Sequence, residues 1–140
     1  MRKLIFLSIL SIVFGGVIYI AFRSSSIILF KWIDYIVFTD LVENFRQITL
    51  PYTECLPDWF LYCLPDGLWM FSYSSIVLVI WKQRITKYSL LWLLSLPIIS
   101  IMFEVLQYYD YFQGTFDILD IIFYILGSLL PILINQTFKN

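Results

Sequence analysis

The 140-residue sequence contains no histidine, only two cysteines and few charged residues. Without imidazole, the commonest general base near neutral pH and the commonest metal ligand are both excluded. Charged residues make up 14% of the chain, against about 25% in ordinary soluble domains. Hydrophobic residues make up 61%, and the mean hydropathy is +0.85. This composition indicates a membrane protein, and the lack of any basic run argues against a nucleic-acid partner.

Four apolar segments are long enough to cross a bilayer, which takes about 17–25 residues of helix. The first, residues 4–22, follows Met-Arg-Lys and could also be a cleaved signal peptide, although it is long for one and no Ala-x-Ala site follows it. The others are expected at residues 65–81, 88–109 and 117–137. Spans through lipid must satisfy their own backbone groups, so they are predicted to be helical. The predicted fold is all-α and polytopic, a single membrane domain over residues 1–140.

The chain between the first two spans holds a shorter apolar segment. Residues 27–38 include Lys31 and Asp34, so this segment is predicted to be a helix lying in the membrane interface. Residues 39–58 are mixed polar and are predicted to form the longest connection. Leu-Pro-Asp then occurs twice, ending at Asp58 and at Asp66. Because proline favours the first helical turn, we expect a short surface helix from about Asp58 and a second span that starts at Pro65.

The distribution of charge predicts the orientation. With the amino terminus in the cytoplasm, the cytoplasmic segments hold most of the nine basic residues: Arg2, Lys3, Lys82, Arg84, Lys87 and Lys139. The external segments hold Arg23, Lys31 and Arg46. This positive-inside pattern predicts a multi-pass membrane protein with both termini in the cytoplasm. All ten acidic residues then fall in the outer half of the membrane or outside it.

Two polar stripes near the carboxy terminus suggest a site. Pro97, Ser100, Glu104 and Gln107 share one face of the third span, and Asp117, Asp120, Tyr124, Gly127 and Pro131 share one face of the fourth. A short link containing Gly114 makes these spans antiparallel neighbours, so their stripes can face each other. The predicted binding residues of this outward-facing acidic recess are Asp66, Glu104, Gln107, Asp117, Asp120 and Tyr124.

A structural interpretation remains open for part of this set. Asp117 and Asp120 lie where the fourth helix is expected to begin, and a negative charge there stabilises the helix dipole by about 0.3–1 kcal/mol. Glu104 is not explained in this way, because it lies near the carboxyl end of its helix, where a negative charge opposes the dipole. A carboxylate at membrane depth also costs about 2.5–3.5 kcal/mol on insertion scales, so it should point into the bundle.

These residues carry a family resemblance. Glu104-x-x-Gln107, Gly114-Thr115-Phe116-Asp117, Asp120 and Gly127 follow one another in a pattern that resembles the carboxy-terminal signature of the VanZ-like membrane proteins, a family named for a teicoplanin-resistance protein. The resemblance extends loosely to Asp66–Tyr73 and covers roughly residues 60–135. The family commonly has Arg where Thr115 stands and Asn where Tyr124 stands. The resemblance implies a small bacterial membrane protein associated with the cell envelope, but it implies no particular reaction.

Several functions fit the acidic recess. The leading hypothesis is binding of a cell-envelope component or an envelope-active antibiotic, and the alternative is an accessory or structural subunit of a larger membrane complex. An enzyme that uses the carboxylates as acid and base, or as ligands of a divalent cation, is the weaker hypothesis, since no histidine, nucleophile turn or phosphate-binding glycine loop accompanies them. Membrane lipid is an expected partner, together with an envelope precursor or another membrane protein. No cofactor is predicted.

Cys55 and Cys63 are both external in this topology. Such a position permits a disulfide, although two free, half-buried thiols are the default expectation. Two cysteines without histidine make a poor zinc site, so no metal is predicted.

Overall fold

The computed structural model describes residues 1–23 and 39–137. Within these ranges the chain is helical and contains no strand, as the sequence predicts. Its helices are α1 (Arg2–Phe22), α2 (Thr39–Thr49), α3 (Leu64–Ile80), α4 (Lys87–Tyr108) and α5 (Ile118–Thr137). α1, α3, α4 and α5 are the four that are long and apolar enough to cross a membrane, which confirms the predicted all-α polytopic fold. The predicted interfacial segment, residues 27–38, lies outside the described residues.

Helix α2 and a 3₁₀ helix, Leu50–Cys55, occupy the region predicted only as a polar connection. Two side chains near the end of α2 are hydrogen-bonded to the carboxyl end of α1. The Arg46 guanidinium donates to the carbonyl oxygen of Ile20 (2.5 Å), and the Thr49 hydroxyl donates to that of Ala21 (3.1 Å). The last carbonyls of a helix have no partner within the helix, so these two side chains complete the carboxyl end of α1.

The predicted surface helix from Asp58 is wrong as a separate element. A π-helical turn, Trp59–Cys63, runs directly into α3, and together they form one 22-residue helix. Pro65 explains the widened turn, because it has no N–H to donate to the carbonyl four residues before it. The Leu64 N–H instead reaches the carbonyl of Trp59, five residues back, and the helix continues past the proline.

Helix α3 is central, with α1 packed on one side and α5 on the other, while α4 packs less extensively against α3 and α5. Glycines allow the closest approaches. A Cβ added at Gly127 of α5 would overlap the carbonyl oxygen of Gly67 in α3, and one added at Gly15 of α1 would lie 3.2 Å from the carbonyl oxygen of Pro65. The backbones of α1, α3 and α5 therefore pack closely because these side chains are absent.

Helix α4 is held to α3 by a polar contact and an apolar cluster. The Tyr73 hydroxyl donates to the carbonyl oxygen of Trp92 (2.6 Å), one turn before Pro97. Leu78 and Leu93 are buried beside it. Many large apolar side chains on the outer faces of α1, α4 and α5 are exposed, as expected for surfaces that face lipid.

Candidate functional site

Carboxylates from three helices lie at one end of the bundle. This end contains the carboxyl ends of α1 and α4 and the amino ends of α3 and α5. The residues that interact there, called the acidic cluster below, are Cys63, Asp66, Glu104, Asp117, Asp120 and Tyr124. Five of the six predicted binding residues belong to it. Gln107 is the exception among them, and Cys63 was not predicted.

Glu104 is the most buried carboxylate of the cluster, with 4% of its surface exposed. Its Oε2 accepts a hydrogen bond from the backbone N–H of Asp117 (3.3 Å), and its side chain also interacts with that of Tyr124. Glu104 therefore points into the bundle rather than into lipid, and it links α4 to the start of α5.

Asp117 immediately precedes α5 and caps it. Its Oδ1 accepts from the backbone N–H of Leu119 (2.8 Å), which is the bond made by an N-cap carboxylate. Its Oδ2 lies 3.9 Å from the Cys63 sulfur. Capping of α5 thus accounts for one carboxylate oxygen of Asp117. The other oxygen faces the cluster.

Asp120 and Asp66 complete the acidic set, and both are partly buried. The side chain of Asp120 lies close to the thiol of Cys63 and interacts electrostatically with it and with Asp66. The Oδ1 of Asp120 is buried and has no hydrogen-bond partner within residues 1–23 and 39–137. Since buried polar atoms are nearly always paired, this oxygen is an acceptor that these residues leave unused.

The two cysteines have different environments. Both are free thiols, so the alternative of a disulfide does not hold, and neither is half-buried: Cys55 is exposed and Cys63 is buried. Cys63 lies in the π-helical turn, and that turn places its sulfur against the start of α5. The one signal in the sequence for the position of Cys63 was Pro65, two residues later. A proline indicates an irregular helix, but it does not indicate in which direction the thiol points.

Arg23 supplies a positive charge that the sequence did not assign to the site. Its guanidinium lies 5.3 Å from the ring centre of Tyr19 and 4.8 Å from that of Tyr62, and it interacts electrostatically with Asp66. Aromatic faces attract guanidinium groups in this arrangement. From the sequence, Arg23 was expected outside the membrane at the end of the first span. No periodic pattern indicated that it would lie near Asp66 of the second span.

Gln107 lies against the link between α4 and α5. A Cβ added at Gly114 would be 2.7 Å from its Cδ, and Gly114 has a φ of +143°, which side-chain-bearing residues rarely adopt. The glycine thus allows the link to turn directly over Gln107. This contact places Gln107 beside the cluster, where it packs on the loop.

The arrangement can hold a cation or accept several hydrogen bonds. The ligand atoms of Cys63, Asp117 and Asp120 lie within 4.8 Å of one another, so these side chains are also candidate metal ligands. Fold and cluster together define a multi-pass α-helical membrane protein with a partly buried acidic site at one end of its bundle. Comparison of the chain with protein-family models, curated proteins and solved structures found no match. Its function is therefore argued from the geometry of the acidic cluster.

Proposed function

We propose that the protein is a binding protein of the bacterial cytoplasmic membrane. Its acidic cluster faces outward and holds a cell-envelope component, or an envelope-active antibiotic, through a cationic or hydroxyl-rich group. The main support is the convergence of Asp66, Glu104 and Asp120 from three different helices at one partly buried place. A carboxylate costs about 2.5–3.5 kcal/mol at membrane depth, so a group of them needs a compensating role.

The balance of charge within the cluster supports a ligand with hydrogen-bond donors. Four carboxylates lie there, and among the described residues the cation Arg23 interacts with one of them, Asp66. The Oδ1 of Asp120, which has no hydrogen-bond partner in the described part of the chain, offers a further acceptor. A cationic or hydroxyl-bearing group could donate to this oxygen without displacing a bond that the fold already makes.

The opposite end of the bundle supports the proposed orientation. Lys82 and Arg84 are exposed in the turn between α3 and α4, and Lys87 is exposed at the start of α4. Arg2 and Lys3, at the start of α1, line a cavity together with Gln83 from that turn. A basic end is usually cytoplasmic, which would place both termini inside and the acidic cluster outside.

The resemblance to the VanZ-like proteins is part of this proposal. Residues that carry it have identifiable roles: Gly127 packs on Gly67, Gly114 turns over Gln107, and Glu104 accepts from Asp117. A role at the cell envelope agrees with an outward-facing cluster.

An accessory or structural subunit is the second candidate. The hydrogen bonds of Glu104 and Asp117 favour this structural role, because each of them stabilises the bundle itself. In that case the carboxylates maintain the fold, and binding partners contact other surfaces.

Two charge-removing substitutions separate these candidates. Glu104→Gln and Asp120→Asn keep the shape of each side chain, and Asp110→Asn, in the exposed link, is the matched control. For a binding protein, we expect either cluster variant to change the susceptibility of the producing bacterium to envelope-active antibiotics, with membrane abundance unchanged. Unchanged susceptibility at normal abundance would contradict binding, and loss of abundance in the cluster variants would favour the structural role.

A further inference from the structure

We propose that the end of the bundle opposite the acidic cluster binds an anionic phospholipid, with the lipid phosphate at Arg2 and Lys3 and an acyl chain along α1. Two cavities meet at these residues. The polar cavity, of about 280 Å³, lies between the start of α1 and the turn that joins α3 to α4, and Arg2, Lys3 and Gln83 line it. The apolar groove, of about 390 Å³, is lined by Arg2 and Lys3 together with Phe6 and Leu7. A charged cavity that adjoins an apolar groove matches the two parts of a phospholipid.

The charge at this end of the bundle has one sign. Arg2 and Lys3 are exposed beside the cavity, and Lys82 and Arg84 are exposed in the turn. Acidic residues are absent from the three stretches of sequence that build this end: residues 1–33, 67–103 and 121–140. The partner that complements this end is therefore an anion. Because the acidic cluster lies at the other end of the bundle, this inference does not depend on the ligand of that cluster.

The apolar groove favours a phospholipid over a soluble phosphate. Phe6 is 66% exposed on the outer face of α1, and Leu7 is partly exposed. A side chain in this position on a membrane-spanning helix faces hydrocarbon, so an acyl chain can lie in the groove beside it. A soluble anion would contact the polar cavity alone. Basic pockets between membrane-spanning helices bind the head groups of anionic lipids in this way.

The polar cavity has a fixed wall and enough room for a phosphate group. The Gln83 N–H donates to the carbonyl oxygen of Leu78 (2.7 Å), and Nδ2 of Asn135 in α5 donates to the carbonyl oxygen of Gln83 (3.3 Å). These bonds hold the turn against α3 and α5. The volume of the cavity is several times that of a water molecule, ~30 Å³. Since the wall is held in place by the bundle itself, little ordering is needed when a lipid binds.

Competition between two lipids tests the site. The full-length protein, purified in micelles of a nonionic detergent, is mixed with phosphatidylglycerol or with phosphatidylcholine that has the same acyl chains. Native mass spectrometry then measures how much of each lipid is bound. A lysine or arginine near a lipid surface contributes about fivefold to the affinity for anionic lipid, so we expect phosphatidylglycerol to bind at least ~5-fold more tightly. Equal binding of the two lipids would overturn the inference.

Double variants matched in charge identify the residues. Arg2→Gln with Lys3→Gln removes two charges from the polar cavity, whereas Lys82→Gln with Arg84→Gln removes two charges from residues that line neither the cavity nor the groove. We expect the first pair to abolish the preference for phosphatidylglycerol and the second pair to retain most of it. Arg2→Lys with Lys3→Arg keeps both charges and should also retain it. Circular dichroism checks that each variant is helical. Equal losses in the two glutamine pairs would contradict a defined site, because they would indicate only a diffuse attraction to the basic end.

Soluble anions distinguish a lipid site from a phosphate site. Inorganic phosphate and glycerol phosphate carry the charged group of the lipid without an acyl chain. Added in large excess, neither should displace phosphatidylglycerol, because neither fills the groove beside Phe6 and Leu7. Displacement by either anion would contradict the role of the groove and would indicate a site for soluble phosphate.

Discussion

Replacement of Gly127 by alanine tests the close contact between α3 and α5. The new methyl group would overlap the carbonyl oxygen of Gly67 and lie 3.0 Å from the Cβ of Met70. Ordinary contact begins at 3.4 Å, and a backbone carbonyl cannot rotate away as a side chain does. The two helices would therefore have to move apart before the methyl group could fit between them.

Gly16 in α1 provides the matched control. A Cβ added there has no described atom within 4 Å, so Gly16→Ala changes the helix without changing its packing. Each substitution gains about 0.8–1.0 kcal/mol of helix propensity, a contribution that cancels when the two variants are compared. The remaining difference is the cost of overpacking, ~1–3 kcal/mol, with Gly127→Ala less stable.

Unfolding in mixed micelles measures this difference. Helix content, followed by circular dichroism as denaturing detergent is added, gives the free energy of unfolding of each variant. The same shift should also weaken the acidic cluster, because Asp120 lies two turns before Gly127 on α5. A Gly127→Ala variant as stable as Gly16→Ala would refute the close contact of α3 with α5.

Three further substitutions test other contacts through the same free energy of unfolding. Gly114→Ala should cost more than about 1 kcal/mol, because a side chain is strained at a φ of +143°. Tyr73→Phe removes the hydrogen bond that ties α3 to the carbonyl of Trp92 and should cost ~0.5–1.5 kcal/mol. Arg46→Ala leaves the carbonyl of Ile20 without its charged donor and should cost about 1.5–3 kcal/mol.

Each of these three predictions has an outcome that would contradict it. Tyr88 is 78% exposed, so Tyr88→Phe should be nearly neutral, and equal effects at Tyr73 and Tyr88 would show that the hydroxyl of Tyr73 contributes nothing specific. Gln47 is exposed on α2, and an equal loss from Gln47→Ala would argue against a special role for Arg46. A Gly114→Ala protein with unchanged stability would mean that the link adopts a different backbone conformation.

The sequence predicted the features that depend on hydrophobicity and on helical period. Four apolar segments predicted the four spans, because length and composition alone decide whether a helix can cross a bilayer. The spacing of Glu104 on one helix, and of Asp117, Asp120 and Tyr124 on the next, predicted shared faces, and these side chains interact across the two helices.

The features that were missed depend on irregular backbone and on long-range contacts. Pro65 predicted the start of a helix, but the helix already begins before it, with a π-helical turn that accommodates the proline. This turn directs Cys63 toward the start of α5. Arg23 reaches Asp66 because α1 and α3 pack closely at Gly15, a contact that no local pattern specifies. Helix α2 was missed because its polar composition resembles that of a loop.

The meeting of α3 and α5 at the acidic cluster is tested most directly by a cross-link. In a Cys55→Ser protein, Asp117→Cys places a second thiol where a carboxylate oxygen now lies 3.9 Å from the Cys63 sulfur. Mild oxidation in native membranes should join residues 63 and 117 within one chain, whereas Asp110→Cys, in the exposed link, should stay free of Cys63. Rapid joining of residue 117 to Cys63 is the predicted result. Failure of that bond to form, or equal reaction at residue 110, would contradict the account.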